Sequence, residues 1–327
     1  MTETMRAVVI DAPGAPEVLR LRTVPVPVVE PGGVRIRVMA FGLNRSELHF
    51  RSGVAFSGTF PRIPGIEATG VVESAPGGEF APGTQVMTMM GGMGRSTDGG
   101  YAEMVVVPAS QVIPFVSALP WSTLGAVPEM LQTAYGSLTV GLEATDGSSL
   151  LIRGGTSSVG LAAAVLAKRR GMTVIATTRS EARLPLLARI GVDYPIVDTG
   201  EVAATVRQII GAGADGAIEL VGVNVMRDTL RATRQGGTVC FTGMLSDSWT
   251  IPEFYPMDWL PNGVRLTAYS GEAQGLPASV LQDYLDAVAT GDAVVPIGRE
   301  YRIDDIVQAH RDLESNAVGG KAVVVLV

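Results

Sequence analysis

The sequence predicts an α/β chain of two domains, one β-rich and one built on a parallel sheet, and three observations carry that expectation. At 327 residues it exceeds what one hydrophobic core usually supports. An apolar fraction of 46% beside 17% charged residues is that of a globular protein. Along the chain, short β-branched runs give way to strands alternating with helical stretches.

Residues 1–120 contain the runs MRAVVI, VRIRVMA, ATGVVES, TQVMTMM and AEMVVVP, separated by Gly and Pro. Short strands punctuated by turn residues read as an antiparallel, barrel-like domain. Across 121–262 the strands SLLIR, TVIATT, YPIVD, GAIELVG and GTVCFTG alternate with the helical stretches LAAAVLAKRRG, ARLPLLARIG and VAATVRQIIG, several stopped by Gly. That alternation predicts βαβ units and a parallel sheet. Residues 263–327 bring RLTAYSG, a helix over ASVLQDYLDAVATG, the run EYRI, a helix over IDDIVQAHRDLES and the strand KAVVVLV. This tail is expected to fold back on the first domain.

Charge and cysteine usage exclude several classes. A net charge of -7 speaks against a nucleic-acid surface, which needs clustered Lys and Arg, and the longest basic run is KRR at Lys168–Arg170. The single cysteine, Cys240, rules out an internal disulfide. The opening MTETMRAVVIDAPG lacks the apolar core of a secretory leader, and no uncharged apolar segment reaches the roughly 18 residues of a membrane span. A cytoplasmic protein without membrane or nucleic-acid partners is expected.

The stretch RGGTSSVGLAA, Arg153–Ala163, stands between the strand SLLIR and a helical pattern. A nucleophile elbow, G-x-S-x-G, does not fit the spacing, and only His49 and His310 exist as bases. A Walker loop is excluded because no G-K-[ST] follows. The dinucleotide fingerprint G-x-G-x-x-G fits Gly155-Thr156-Ser157-Ser158-Val159-Gly160 if Ser157 replaces the middle glycine. A serine there keeps the N–H donor and adds a hydroxyl able to bond phosphate. A Gly/Ser-rich turn without a ligand is the competing reading of the loop alone.

The end of the next strand weighs against that alternative. NAD sites place Asp or Glu about 20 residues beyond the fingerprint for the ribose 2′-hydroxyl, whereas Arg accommodates a 2′-phosphate. Here stand Thr177, Thr178, Arg179 and Ser180, with Arg183 one helical turn on and no acid before Glu181. Arginine meets phosphate through paired charge-assisted hydrogen bonds, and a helix N-terminus otherwise disfavours cations. NADPH is expected over NADH.

With these pieces in view the chain resembles the zinc-free quinone oxidoreductase, zeta-crystallin-like branch of the medium-chain dehydrogenase/reductase superfamily. The resemblance covers nearly the whole length: GAPEVLRLRTVPVPVVEPGGVRIRVMAFGLNRSELHFRSG with its N-x-x-[D/E] loop, IPGIEATGVVES, DGGYAEMVVVP, LQTAYGSL, RGGTSSVGLAAAVLAKRRG, AIELVG and AHRDLESNAVGGKAVVVL follow the family's order. It implies a GroES-like β-rich catalytic domain (1–120 and 263–327) and a Rossmann doubly wound domain (121–262) that binds NADPH. At the positions matching the catalytic-zinc ligands of the alcohol dehydrogenase branch this chain has Asn44 and Ile66, so no metal site is expected.

Without a Lewis acid, the implied chemistry is hydride delivery to a quinone, or alternatively to an enone or 2-enoyl thioester. A third possibility is an NADPH-binding protein with little turnover. By the same resemblance Asn44 would hydrogen-bond a carbonyl oxygen as charge develops on it, and His49 would donate a proton or line the pocket. Thr133, Val221, Gly222, Thr242, Gly243 and Met244 would meet the nicotinamide side, and Lys321 would reach the cofactor or form a salt bridge. His310 reads as a structural histidine. Asp198 stands where some relatives place a tyrosine against the adenine. A homodimer through the edge strand near VRLTAYS is implied by analogy.

Overall fold

The computed structural model describes residues 3–54, 58–246, 248 and 250–326. The chain divides into two compact units, Met1–Glu129 with Glu272–Thr290 and Val295–Val327, and Met130–Gly271 with Gly291–Val294.

In the first unit the strands are β1 (Thr4–Val9), β2 (Arg20–Pro25), β3 (Gly33–Leu43), β4 (Glu67–Ser74), β5 (Gln85–Met89), β6 (Met104–Pro108) and β7 (Val112–Pro114). β1 and β2 form an antiparallel pair. The others enter a seven-stranded sheet completed by the two late strands of the chain. Alternation in β3, with Val34, Ile36 and Val38 buried, turns one face of that sheet to a core shared with Val72, Val86 and Val105. Helix α1 (Arg45–Ser52) leaves the end of β3 directly, and the short α2 (Trp121–Gly125) leads to α3 (Pro128–Gly136).

The second unit carries β8 (Ser149–Arg153), α4 (Ser158–Arg169), β9 (Thr173–Thr178), α5 (Leu184–Arg189), β10 (Tyr194–Val197), α6 (Ala203–Ile210), β11 (Ala214–Glu219), α7 (Val223–Ala232), β12 (Thr233–Phe241), α8 (Pro256–Trp259) and β13 (Arg265–Ala268). Its sheet runs β10-β9-β8-β11-β12-β13 with every neighbouring pair parallel. That is the doubly wound order, whose ligands bind beyond the carboxyl ends of the strands. The central strand β8 is buried from Leu150 to Arg153, as a strand covered on both faces must be.

The tail belongs mostly to the first unit, through α9 (Ala278–Thr290), β14 (Ile297–Arg302), α10 (Ile306–Glu314) and β15 (Lys321–Val325), and β15 pairs antiparallel with β3. The expected boundaries at 120/121 and 262/263 move. RLTA, grouped by sequence with the tail, is the sixth strand of the parallel sheet, because β13 hydrogen-bonds β12. A four-residue strand carries no signal of which sheet will take it.

Candidate cofactor and active site

At the carboxyl end of β8 the chain turns through Gly154, whose φ of +87° suits a residue without a side chain. Ser157 is the N-cap of α4. Its hydroxyl donates to the Gly154 carbonyl at 2.8 Å and accepts the Gly160 N–H at 3.1 Å. The hydroxyl expected for phosphate is therefore spent inside the loop. What faces outward is the first turn of a helix, whose N–H groups have no carbonyl behind them and attract anions. A Cβ on Gly160 would fall 2.6 Å from the Gly154 oxygen, so only glycine lets the helix pack this close to the loop. Thr156 lies beside the next strand, its hydroxyl 3.3 Å from that of Thr178. Together with Ser158 and Val159 these residues form a loop that fits a dinucleotide pyrophosphate.

Beyond β9, Thr177 and Thr178 are buried while Arg179 and Arg183 are exposed. The nearest acid in the neighbouring loop, Asp198, is turned inward. Its carboxylate accepts from Arg153 at 2.6 and 2.8 Å, from the Thr177 hydroxyl at 3.1 Å and from the Gly200 N–H at 2.9 Å. Burial alone would raise its pKa, but the hydrogen bonds and charge of Arg153 outweigh it and hold the carboxyl below the usual range. Asp198, at the position where some relatives place a tyrosine, neutralises a fully buried arginine. Arg153 also donates to Asp228 at 2.7 Å and to the Gly200 carbonyl at 2.9 Å. Sequence reading passed over Arg153, and the one available signal was a charged residue closing the otherwise apolar run of SLLIR.

The turns expected at the nicotinamide side share one support. The Glu219 carboxylate accepts the N–H groups of Val221 at 2.7 Å and Gly222 at 3.0 Å. Its backbone carbonyl accepts those of Thr242 at 2.9 Å and Gly243 at 3.0 Å, one residue before Met244. Burial pushes the Glu219 carboxyl up to about 7. Thr133 is buried in the same unit, its carbonyl accepting the Ser137 hydroxyl at 2.7 Å, and that hydroxyl is 3.0 Å from the one on Thr242.

In the first unit Asn44 precedes α1, where its N–H donates to Glu47 at 2.8 Å. Its carboxamide is committed on both sides, Nδ2 donating to Glu67 at 2.9 Å and Oδ1 accepting from Lys321. The Lys321 ammonium also lies 3.0 Å from Glu67 and 3.5 Å from Glu129. Burial pulls this ammonium down, but the charges of Glu67 and Glu129 overcome it and leave the pKa raised. The Asn44 carboxamide is held by protein groups, and of the two readings of Lys321 the salt bridge is the one formed. The packing that creates those partners joins residues 277 apart in the chain, beyond any local signal.

His49 lies half-buried on α1. His310 is fully buried with Nε2 3.2 Å from the Tyr101 hydroxyl, and burial together with the Arg51 charge pulls it down to about 3. Among the described residues no group of three or more His, Cys, Asp or Glu is placed to hold a metal ion. Likewise, no described helix is long and apolar enough to cross a membrane.

Comparison with known proteins places the chain in a family. Residues 30–117 match the family described as the alcohol dehydrogenase GroES-like domain, and residues 158–289 the one described as zinc-binding dehydrogenase. A quinone oxidoreductase of Lama guanicoe is 30% identical over 337 residues, spanning 98% of both chains. Among solved structures, one titled an NAD-dependent alcohol dehydrogenase superposes with a TM-score of 0.85 at 29% identity, covering 99% of this chain and 100% of the other. A mycobacterial protein whose structure is titled as complexed with NADPH gives 0.80 at 25% identity, covering 98% and 99%. The chain belongs to the quinone oxidoreductase family of the medium-chain dehydrogenase/reductase superfamily, oxidoreductases on a nicotinamide-cofactor-binding fold.

Proposed function

We propose that the protein is an NADPH-dependent, zinc-independent reductase that transfers hydride to a quinone, acting in the cytoplasm as a homodimer. The observation that carries the cofactor preference is the carboxyl end of β9. Arg179 and Arg183 are exposed there, and the acid of the neighbouring loop, Asp198, is consumed by Arg153. One solved neighbour is described with NAD and another with NADPH, and the exposed arginines are what supports the NADPH reading. The quinone substrate is supported by the name of the Lama guanicoe relative. Zinc independence is supported by Asn44 and Ile66 at the positions that match zinc ligands in the alcohol dehydrogenase branch.

When bound, the dinucleotide supplies the hydride, and the chain supplies placement and charge. The first turn of α4 would hold the pyrophosphate by backbone N–H groups, and Arg179 and Arg183 would meet the 2′-phosphate. The backbone of 221–222 and 242–244, with Thr133, sets the nicotinamide side and excludes water. His49 hands a proton to the reduced oxygen. Asn44, tied to Glu67 and Lys321, fixes the start of α1 and through it the place of His49. The free edge that β13 presents in the parallel sheet is the surface for the second subunit.

The test is oxidation of NADPH and of NADH by the purified protein with a small para-quinone as acceptor. Turnover should favour NADPH. Replacing both arginines, R179A/R183A, should lower kcat/KM for NADPH about 100-fold while leaving NADH nearly unchanged, since each charged phosphate contact contributes roughly a factor of ten or more. Binding of NADPH with no quinone reduced would instead direct attention to enones and enoyl thioesters, or to a role without turnover.

A further inference from the structure

Arg153 is 0% exposed, closes β8 and immediately precedes the phosphate loop. Burying a guanidinium is costly unless it is paired, and its two acids come from 45 and 75 residues along the chain. From Arg153 the hydrogen bonds run in two directions. One way they pass through Asp198 to the Thr177 hydroxyl, which accepts the Gly154 N–H at 3.0 Å. The other way they pass through Thr229, 3.3 Å from Arg153, to the Glu219 carboxylate and so to Val221 and Gly222. Asp228 closes the middle by accepting the Val202 N–H at the start of α6 at 2.7 Å.

We propose that this buried network centred on Arg153 is a positioning device for the cofactor loops. It sets the phosphate loop at one end, through Asp198 and Thr177, and the 221–222 and 242–243 turns at the other, through Thr229 and Glu219. The six side chains Arg153, Asp198, Asp228, Thr177, Thr229 and Glu219 bond to one another and to neighbouring backbone. They act by removing alternative conformations from the backbone of the cofactor loops, which is the preorganisation a site gains from supporting hydrogen bonds. The proposal rests on the dinucleotide reading of the loop.

The experiment measures binding of NADPH and of ADP-ribose, which has the pyrophosphate but no nicotinamide, to the wild type, T177V, T177S and E219Q by calorimetry, with melting temperatures alongside. T177V removes both the acceptor for Gly154 and the donor to Asp198. It should weaken both ligands by the same factor, about tenfold, and T177S should restore both. E219Q replaces charge-assisted bonds with neutral ones, and should weaken NADPH about fivefold while leaving ADP-ribose unchanged. Equal weakening of both ligands by E219Q, or no change in either variant, would overturn the positioning role. If T177V does not fold, the split between NADPH and ADP-ribose in E219Q decides alone. A wild type that binds neither ligand sinks the dinucleotide reading and this proposal together, whereas normal wild-type binding with indifferent variants sinks only the proposal.

Discussion

Each unit of this protein holds a buried cation between two carboxylates, Lys321 in the first and Arg153 in the second, and the two solve the problem differently. In the first, Lys321 is a point charge that donates to the Asn44 carbonyl oxygen and lies 3.0 Å from Glu67 and 3.5 Å from Glu129. In the second, Arg153 presents a planar fork that takes Asp198 through two nitrogens and Asp228 through a third. The outcome for the acids is opposite. Burial pushes the Glu67 carboxyl up more than the Lys321 charge pulls it down, while Asp198 is held below its ordinary range. The two-toothed pair outweighs the burial of Asp198, whereas a shared ammonium does not outweigh the burial of Glu67.

The largest effect should come from removing either cation. K321M leaves Glu67 and Glu129 without their counterion and should cost about 3–5 kcal/mol in urea unfolding at pH 8, where the acids are most ionised. R153M should cost less, because the side chains of Asp198 and Asp228 are 7% and 16% exposed and water reaches them, against 0% for Glu67. A larger loss from R153M than from K321M would break the comparison.

The next effect is a dependence on pH. Burial pushes Glu47 of the first unit from 4.5 up to about 7, and Glu219 of the second likewise. A carboxyl raised in the folded state favours folding most when protonated. The stability it contributes is therefore present below about 4.5 and lost as pH rises through about 7, by about 2–3 kcal/mol for each group. Unfolding midpoints measured from pH 4.5 to 8 should decline, and E47Q and E219Q should each remove one share of the slope. A slope unaltered in both variants would show that neither acid is protonated on folding.

The smallest is local. S157A deletes the N-cap of α4 and should cost about 1 kcal/mol in the same unfolding assay, an order smaller in equilibrium terms than loss of either buried cation. A cost above that of R153M would mean that the loop, rather than the network beneath it, holds the cofactor end together.

Much of the architecture was legible along the chain because its signals are local. SLLIR, TVIATT, GAIELVG and their intervening helical runs announced a parallel sheet by alternation, and each proved a strand of one. The fingerprint at Gly155–Gly160 was readable because a tight strand-to-helix turn demands small residues at set spacings, as the 2.6 Å approach at Gly160 explains. RLTA carries no local signal of which sheet takes it, since its partner, β12, is chosen by space. Arg153 and Asp198 carry no local sign of each other, because the pairing spans 45 residues.

The amino-acid sequence by itself determined the alternation of elements, the glycine-dependent loop, the arginines beyond β9 and the Asn44 and Ile66 positions, each a matter of residue type at a local spacing. Only the tertiary structure decided which charges met. Asp198 reaches Arg153 across 45 residues and Lys321 reaches Asn44 across 277. Hydrophobic periodicity is written in the chain and survives any folding of it, whereas a charge in the interior acquires its function from the partner that burial brings within about 3 Å.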